Sequence, residues 1–145
     1  MGDLPDILTL LFENRGPLQD FGARIQVALA IGVIGRGAYN DLCVIKDVRN
    51  AFAHSAEAMD FSHPDVAKRC GELWFAKTIH YGKRPMPSTG KERFIRSIEL
   101  LADGLYDNMG RQRAGIAPSP FLSMGPASAR LQNQTEQSAK TRAKR

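Results

Sequence analysis

The stretch TGKERFIRSIELLADGLYDNM, residues 89–109, decides the fold class of this 145-residue chain. Thr89 and Glu92 have the T-x-x-E spacing of a capping box, which indicates that a helix begins here. Beyond them, apolar residues recur every three or four positions, as they do on the buried face of a helix. The members of this stripe are Phe94, Ile95, Ile98, Leu101, Ala102, Leu105, Tyr106 and Met109. The pattern predicts a long amphipathic helix.

Four segments upstream also have the helical period, and none shows the alternation of a strand. The first ends at Gly16-Pro17, and the second, residues 18–34, is apolar on nearly every side, which predicts a central, buried helix. The third spans about residues 36–55, and the fourth begins with a second capping box, Ser62-His63-Pro64-Asp65. The first segment's apolar face consists of Leu4, Ile7, Leu8, Leu11 and Phe12. We therefore expect an all-α protein, a single bundle of about five helices.

The positive charge of the chain, +5 overall, is concentrated after Gly110. Residues 1–110 contain 13 Lys and Arg and 14 Asp and Glu, whereas residues 111–145 contain seven Lys and Arg and one Glu. The neutral first part lacks the cationic footprint of a nucleic-acid-binding domain. The second part has too few periodic apolar residues to fold alone. We predict a helical domain over 1–110 and a disordered basic tail over 111–145.

The end of this tail has two interpretations. Its cations could touch phosphates weakly and without sequence preference, or they could serve only to keep the chain soluble. The cations in question are Lys140, Arg142, Lys144 and Arg145.

Several classes of protein are excluded by the composition. Cys43 and Cys70 are too few for a disulfide framework or a four-cysteine zinc site, and His63 and His80 lack ligand-type neighbours at helical spacing. No phosphate-binding loop is present either. From these absences together we expect neither a metal nor a cofactor. No apolar run approaches the roughly 18 residues that span a bilayer, and the N-terminus carries acid where a signal peptide carries base. We expect a cytoplasmic protein without a membrane partner.

Arg49 breaks the pattern of the third segment. On a helical wheel it falls within about 60° of Ile45, among other apolar residues, so we expect it to be buried. A buried guanidinium needs a carboxylate, helix-end carbonyls or a ligand. The sequence therefore leaves open a core ion pair that fixes helix register or a site for an anion such as phosphate. The candidate carboxylates are Glu13, Asp20, Glu72 and Glu99.

His54 follows Arg49 by five positions, which places the two side chains about 140° apart on a regular helix. A joint site would need a helix break near Ala53 or a two-fold partner that supplies the second group. Asn50 and His54, four positions apart, can meet on one face. Alternatively His54 is a helix-end residue favoured by the macrodipole, with Ser55 beside it.

These elements together resemble a known family. The sequence G-P-L at 16–18, F-x-A-R-I at 21–25 and R-N-x-F-A-H-S at 49–55 is similar to the signature of the mannitol-operon repressor (MtlR-like) family, over about residues 4–106. The resemblance implies an all-helical domain that regulates transcription of sugar-alcohol uptake genes. Its motif residues here are Arg24, Arg49, Asn50, Phe52, His54 and Ser55. Members usually carry a further helix before the position of Leu4, so we expect a partner chain to fill that gap or the bundle to lack it.

Two functions of different class follow. Because no helix-turn-helix with a basic recognition helix is evident, the first is a non-enzymatic regulator that acts through a protein partner or a homodimer. The second comes from the hexapeptide Arg49–His54, which also resembles the motif of HEPN-type helical domains, several of which are ribonucleases. That resemblance implies a metal-independent nuclease with a site across a dimer. Arg49 would stabilise the phosphate, His54 would transfer protons and Asn50 would assist.

Overall fold

The computed structural model describes residues 4–13, 15–56, 58–80, 83–117 and 119. These residues form helices and connecting loops without a strand, which confirms the all-α prediction. In chain order the helices are α1 (Leu4–Phe12), α2 (Phe21–Ala30), α3 (Arg36–His54), α4 (Pro64–Glu72), α5 (Trp74–Thr78) and α6 (Gly90–Arg113). No helix of the described part is long and apolar enough to cross a membrane.

The described residues contain six helices rather than about five, because the predicted fourth segment is divided at Leu73. Leu73 is fully buried, and its backbone (φ −59°, ψ 113°) lies outside the helical region. The break is stabilised from α3, where the side chain of Asp41 accepts hydrogen bonds from the N–H groups of Trp74 and Phe75. A carboxylate thus satisfies the amides that begin α5, so that a new helix can start immediately after α4.

The two predicted capping boxes have different outcomes. At α6 the box is formed as predicted: the Glu92 N–H donates to Thr89 Oγ1 and the Thr89 N–H donates to the Glu92 carboxylate, both at 3.2 Å. At α4 the prediction is wrong. His63 is the N-cap, with its imidazole accepting from the Asp65 N–H, while the Ser62 hydroxyl donates to Asp60 instead. The Asp60 carboxylate, two residues before Ser62, competes successfully for that hydroxyl.

The core lies around α3, which packs against α2, α4, α5 and α6. One buried cluster joins α2, α3, α5 and α6, and a second joins α3, α4 and α5. The prediction of a central α2 is wrong, since Ile25 is its one buried residue. Gly32, with φ at +77°, lies in the turn that follows α2, so the helix is shorter than predicted. The buried clusters consist of Ile25, Ile34, Ala38, Phe75, Leu100 and Leu101, and of Val48, Val66, Cys70, Leu73 and Ala76.

The last helix extends three residues past the predicted domain boundary, to Arg113. An ion pair of 2.8 Å between Asp107 and Arg111, one turn apart, supports its final turns. Beyond the helix, the Ser119 N–H donates to the buried side chain of Asn108 at 2.6 Å, so the chain returns to α6. The rest of the predicted tail, including its four C-terminal cations, lies outside the described residues.

Candidate functional site

Arg49 is exposed, and the prediction that its guanidinium is buried in the core is wrong. It has no hydrogen bond or ion pair with any described residue, so none of the four candidate carboxylates pairs with it. Glu99 instead pairs with Arg84 at 3.2 Å, and Asp20 caps α2. The proposed core ion pair is therefore absent from the described part of the chain.

The reason for this error is the phase of α3. Its buried residues are Gly37, Ala38, Asp41 and Val48, so the middle of the buried stripe lies near Asp41 and not near Ile45. The stripe is turned by about 40° from one centred on Ile45, which places Arg49 about 80° from Asp41. A pattern built from apolar residues alone leaves out Asp41, although Asp41 lies at the centre of the buried face.

Two ionisable residues that the sequence analysis did not single out are buried, Asp41 with 1% of its surface exposed and Arg96 with 9%, and Asp41 is the deeper of the two. Its carboxylate accepts from the Trp74 N–H at 2.8 Å, the Phe75 N–H at 3.0 Å and the Ser97 hydroxyl at 3.3 Å. Burial raises the pKa of Asp41, and the three hydrogen bonds oppose this rise. Asp41 thereby ties α3 to both α5 and α6. Its position between Ala38 and Val48 on one helix face is the signal that could have found it.

His54 is the last residue of α3 and is exposed. Because α3 is unbroken through Ala53, Arg49 and His54 lie about 140° apart around the helix and do not converge within one chain. Asn50 is half-buried on the same helix, and the Ser55 N–H closes the helix by donating to the Ala51 carbonyl at 3.1 Å. The motif therefore presents two separate polar groups at one end of α3.

Phe52 anchors that end of α3. Its ring packs edge-on against Phe61 at 5.1 Å, and Phe61 packs against Phe94 of α6 at 5.4 Å between ring centroids. This aromatic chain joins α3, the loop before α4 and α6, and each such contact adds to the burial of the rings. Phe52 therefore has a packing role, and it anchors the end of α3 from which Arg49 and His54 reach solvent.

Arg24, the remaining predicted motif residue, lies on α2, away from the end of α3 that carries Arg49 and His54. Its Nε donates to the Leu18 carbonyl at 2.6 Å, and its guanidinium carbon lies 5.2 Å from the centre of the Phe12 ring. These contacts connect α2 with the loop before it and with the end of α1. The structure does not bring Arg24 together with Arg49 or His54 through any contact between described residues.

A cleft of about 400 Å³ lies between the C-terminal half of α3 and α4. Charges of both signs line it, and one of them, Arg69, is paired with Asp47 at 3.0 Å. No group of three His, Cys, Asp or Glu side chains that could hold a metal ion occurs among the described residues. The lining residues of the cleft are Ala51, Met59, Asp65, Val66, Lys68, Arg69 and Glu72.

An exposed apolar surface is formed by α1, α2 and the residue after α2. Of the apolar face predicted for α1, Ile7, Leu8 and Phe12 are exposed and Leu11 is half-buried, so most of that face does not pack inward. We call the exposed residues on one side the α1–α2 surface, which leaves out Leu10 because it lies about 160° around α1 from Leu8 and Phe12. The surface consists of Ile7, Leu8, Phe12, Phe21, Val27 and Ile31.

Comparison with known families agrees with the motifs. The family described as mannitol repressor matches residues 6–105, a range that includes most of α1, the whole of α2 to α5 and most of α6. Neither the curated proteins nor the solved structures gave a match.

Proposed function

The chain belongs to the mannitol repressor family, and we propose that it regulates transcription by binding a protein partner rather than by reading DNA bases. The observation that carries this proposal is the distribution of charge. Residues 1–110, which include nearly all of the matched helices, have a net charge of −1. Reading bases requires a helix whose exposed cationic and amide side chains enter a groove lined by phosphates.

Ion pairs on the surface of the helical body support the same interpretation. Arg69 pairs with Asp47 at 3.0 Å, and Arg84 pairs with Glu99 at 3.2 Å. A guanidinium already held by a carboxylate gains less from a phosphate, because the carboxylate must be displaced first. These exposed arginines therefore contribute little to affinity for DNA.

Arg49 is the residue that we assign to the partner contact. It is exposed, and it has no partner within the described part of the chain. The packing of Phe52 against Phe61, and of Phe61 against Phe94, holds the part of α3 that carries it. A guanidinium presented in this way forms strong, two-point hydrogen bonds to a carboxylate. We expect the partner to present an acidic group to this end of α3.

The test separates DNA binding from partner binding. In fluorescence anisotropy, the full chain should bind a duplex with a mannitol-operon promoter and a scrambled duplex equally, weakly and with steep salt dependence. Replacing Lys140, Arg142, Lys144 and Arg145 by Gln should remove that binding. A preference of about tenfold or more for the promoter, which is roughly 1.4 kcal/mol, would contradict the proposal.

A reporter driven by the same promoter, in cells without a resident repressor of this family, tests the role of Arg49. Arg49→Ala should abolish repression by the full chain while its melting temperature stays unchanged. The matched control is Lys91→Ala, another exposed cation on a long helix, and it should repress normally. Normal repression by Arg49→Ala would remove Arg49 from the partner contact.

The exposure of Arg49 and His54 also supports a second candidate, the metal-independent ribonuclease. Both groups reach solvent, as a phosphate ligand and a proton-transfer group must. Their separation around an unbroken α3 means that Arg49 of one copy would have to meet His54 of another. Full-length protein with labelled RNA in EDTA provides the test. Cleavage that is lost in both Arg49→Ala and His54→Ala, but retained in Lys91→Ala, would replace the regulatory proposal.

A further inference from the structure

We propose that the α1–α2 surface is the place where a second copy of this chain binds. Two of its residues, Leu8 on α1 and Ile31 just after α2, are 51% and 69% exposed. Isolated exposed apolar side chains are common on soluble proteins, but six large ones on two successive elements are not. This inference concerns assembly and does not depend on the regulatory function.

The surface is continuous from α1 to α2 through Arg24. On α2, Phe21 and Val27 lie three positions before and after Arg24, and Ile31 lies one turn beyond Val27, so these side chains share one helix face. The guanidinium of Arg24 lies over the ring of Phe12 at the end of α1. The exposed side chains of α2 and Phe12 of α1 therefore border the same arginine.

The C-terminal end of α1 is held by the loop that follows it. Gly16 packs so closely against the end of α1 that a Cβ there would overlap the carbonyl oxygens of Leu10 and Leu11. The Leu18 N–H donates to the Leu11 carbonyl at 2.8 Å, and the Leu18 carbonyl accepts from Arg24. These contacts hold the end of α1 beside Arg24 of α2.

The exposed area is appropriate for a dimer of two such surfaces. If a large apolar side chain exposes roughly 180 Å² when free, the six residues leave about 500 Å² on each chain. Stable interfaces bury about 800 Å² per partner, and the polar residues at the edge supply the difference. The apolar centre that a second copy needs is therefore almost complete.

The charges on the surface favour a second copy over a partner of strong charge. Arg24 is the single charged residue between the apolar side chains of α2, and its guanidinium is already engaged by the Leu18 carbonyl and the Phe12 ring. An acidic or basic partner would find little to complement here. In a two-fold contact each patch meets its own copy, which is favourable when the patch is apolar and has no free charge of one sign.

Sedimentation of the full-length protein from about 1 to 200 μM tests the proposal. We expect a concentration-dependent dimer. Leu8→Glu and Ile31→Glu should each raise the dimer dissociation constant about 30-fold or more, because each places a charge in an apolar contact. The matched control is Tyr106→Glu on α6, which is 81% exposed but lies outside the surface, and it should associate like the wild type. Because all three residues are so exposed, the variants should fold, as melting curves will verify.

Three results would overturn the proposal. One is a wild type that stays monomeric at the highest concentration. This includes a protein that dimerises only after residues 120–145 are removed, because in that case the chain itself covers the α1–α2 surface. Another is a dimer that Leu8→Glu and Ile31→Glu leave intact. The third is a dimer that Tyr106→Glu weakens as much as they do.

Discussion

Replacing Asp41 tests whether this buried carboxylate, and not Arg49, is the polar centre of the bundle. In Asp41→Ala the two N–H groups that begin α5 and the Ser97 hydroxyl lose their acceptor in a dry environment. Each buried group left without a partner costs about 1–3 kcal/mol, and the hydroxyl can rotate to relieve part of its loss. We expect a loss of about 3–5 kcal/mol in the free energy of unfolding, a large part of the stability of a domain of this size.

The isosteric variant Asp41→Asn separates size from charge. It keeps one acceptor oxygen, so its loss should be smaller, about 1–2 kcal/mol. Its pH dependence follows from burial, which raises the pKa of Asp41 in the folded state. A raised folded pKa contributes stability that is fully present below the unfolded value, about 3.9, and is lost as the pH rises through the folded value. D41N has no such proton, so its deficit relative to the wild type should shrink as the pH rises through that window.

Urea unfolding followed by circular dichroism, at several pH values from acid to neutral, measures both effects. Glu72→Gln is a matched exposed control on α4 and should change stability by less than about 0.5 kcal/mol. A D41N deficit that grows with pH would contradict the sign of the pKa shift. An Asp41→Ala variant as stable as the wild type would show that α5 does not need the carboxylate to begin.

Three further predictions concern single positions on other elements. Arg49→Ala should change the free energy of unfolding in urea by less than about 0.5 kcal/mol, because an exposed, unpaired side chain is removed. A loss of several kcal/mol would instead favour the interpretation of Arg49 as one half of a buried ion pair. Gly16→Ala should lower the melting temperature, since its Cβ overlaps carbonyl oxygens at the end of α1, whereas Gly110→Ala meets open space and should not. Glu92→Gln should lower the melting temperature at neutral pH and less so in acid. The hydrogen bonds from Ser88 and Thr89 lower the pKa of Glu92, so its contribution is present above the unfolded pKa and is lost as the pH falls through the folded one.

Local signals in the sequence identified the helices well. The box at Thr89 and Glu92 depends on atoms three residues apart, so its geometry follows from the residues themselves. The box at Ser62 failed because Asp60, outside the four-residue pattern, offered its hydroxyl a better acceptor. Helix existence therefore depends on local chemistry, whereas the choice of cap already depends on competition with neighbours.

Which side of each helix is buried could not be read in the same way. Asp41 is at the centre of the buried stripe because α5, which begins 33 residues later, presents two N–H groups to it, and no local pattern contains that contact. The exposed residues of α1 show the opposite case, since their apolar face predicts burial that the described part of a single chain does not supply. In both cases the contacts that decide burial come from elements distant in sequence or from outside the chain, and a local apolar pattern does not identify them.

The two kinds of assembly considered for this protein use different ends of α3. The start of α2 lies beside Lys46, where a Cβ on Gly22 would approach the amine to 3.7 Å, and α2 then runs back toward the first turns of α3. His54 lies eight residues beyond Lys46, about 12 Å further along the helix axis. A dimer formed through the α1–α2 surface would therefore lie toward the opposite end of α3 from His54. Loss of association in Leu8→Glu would support that dimer without supporting a nuclease, because a shared Arg49 and His54 site requires contact between the C-terminal ends of α3.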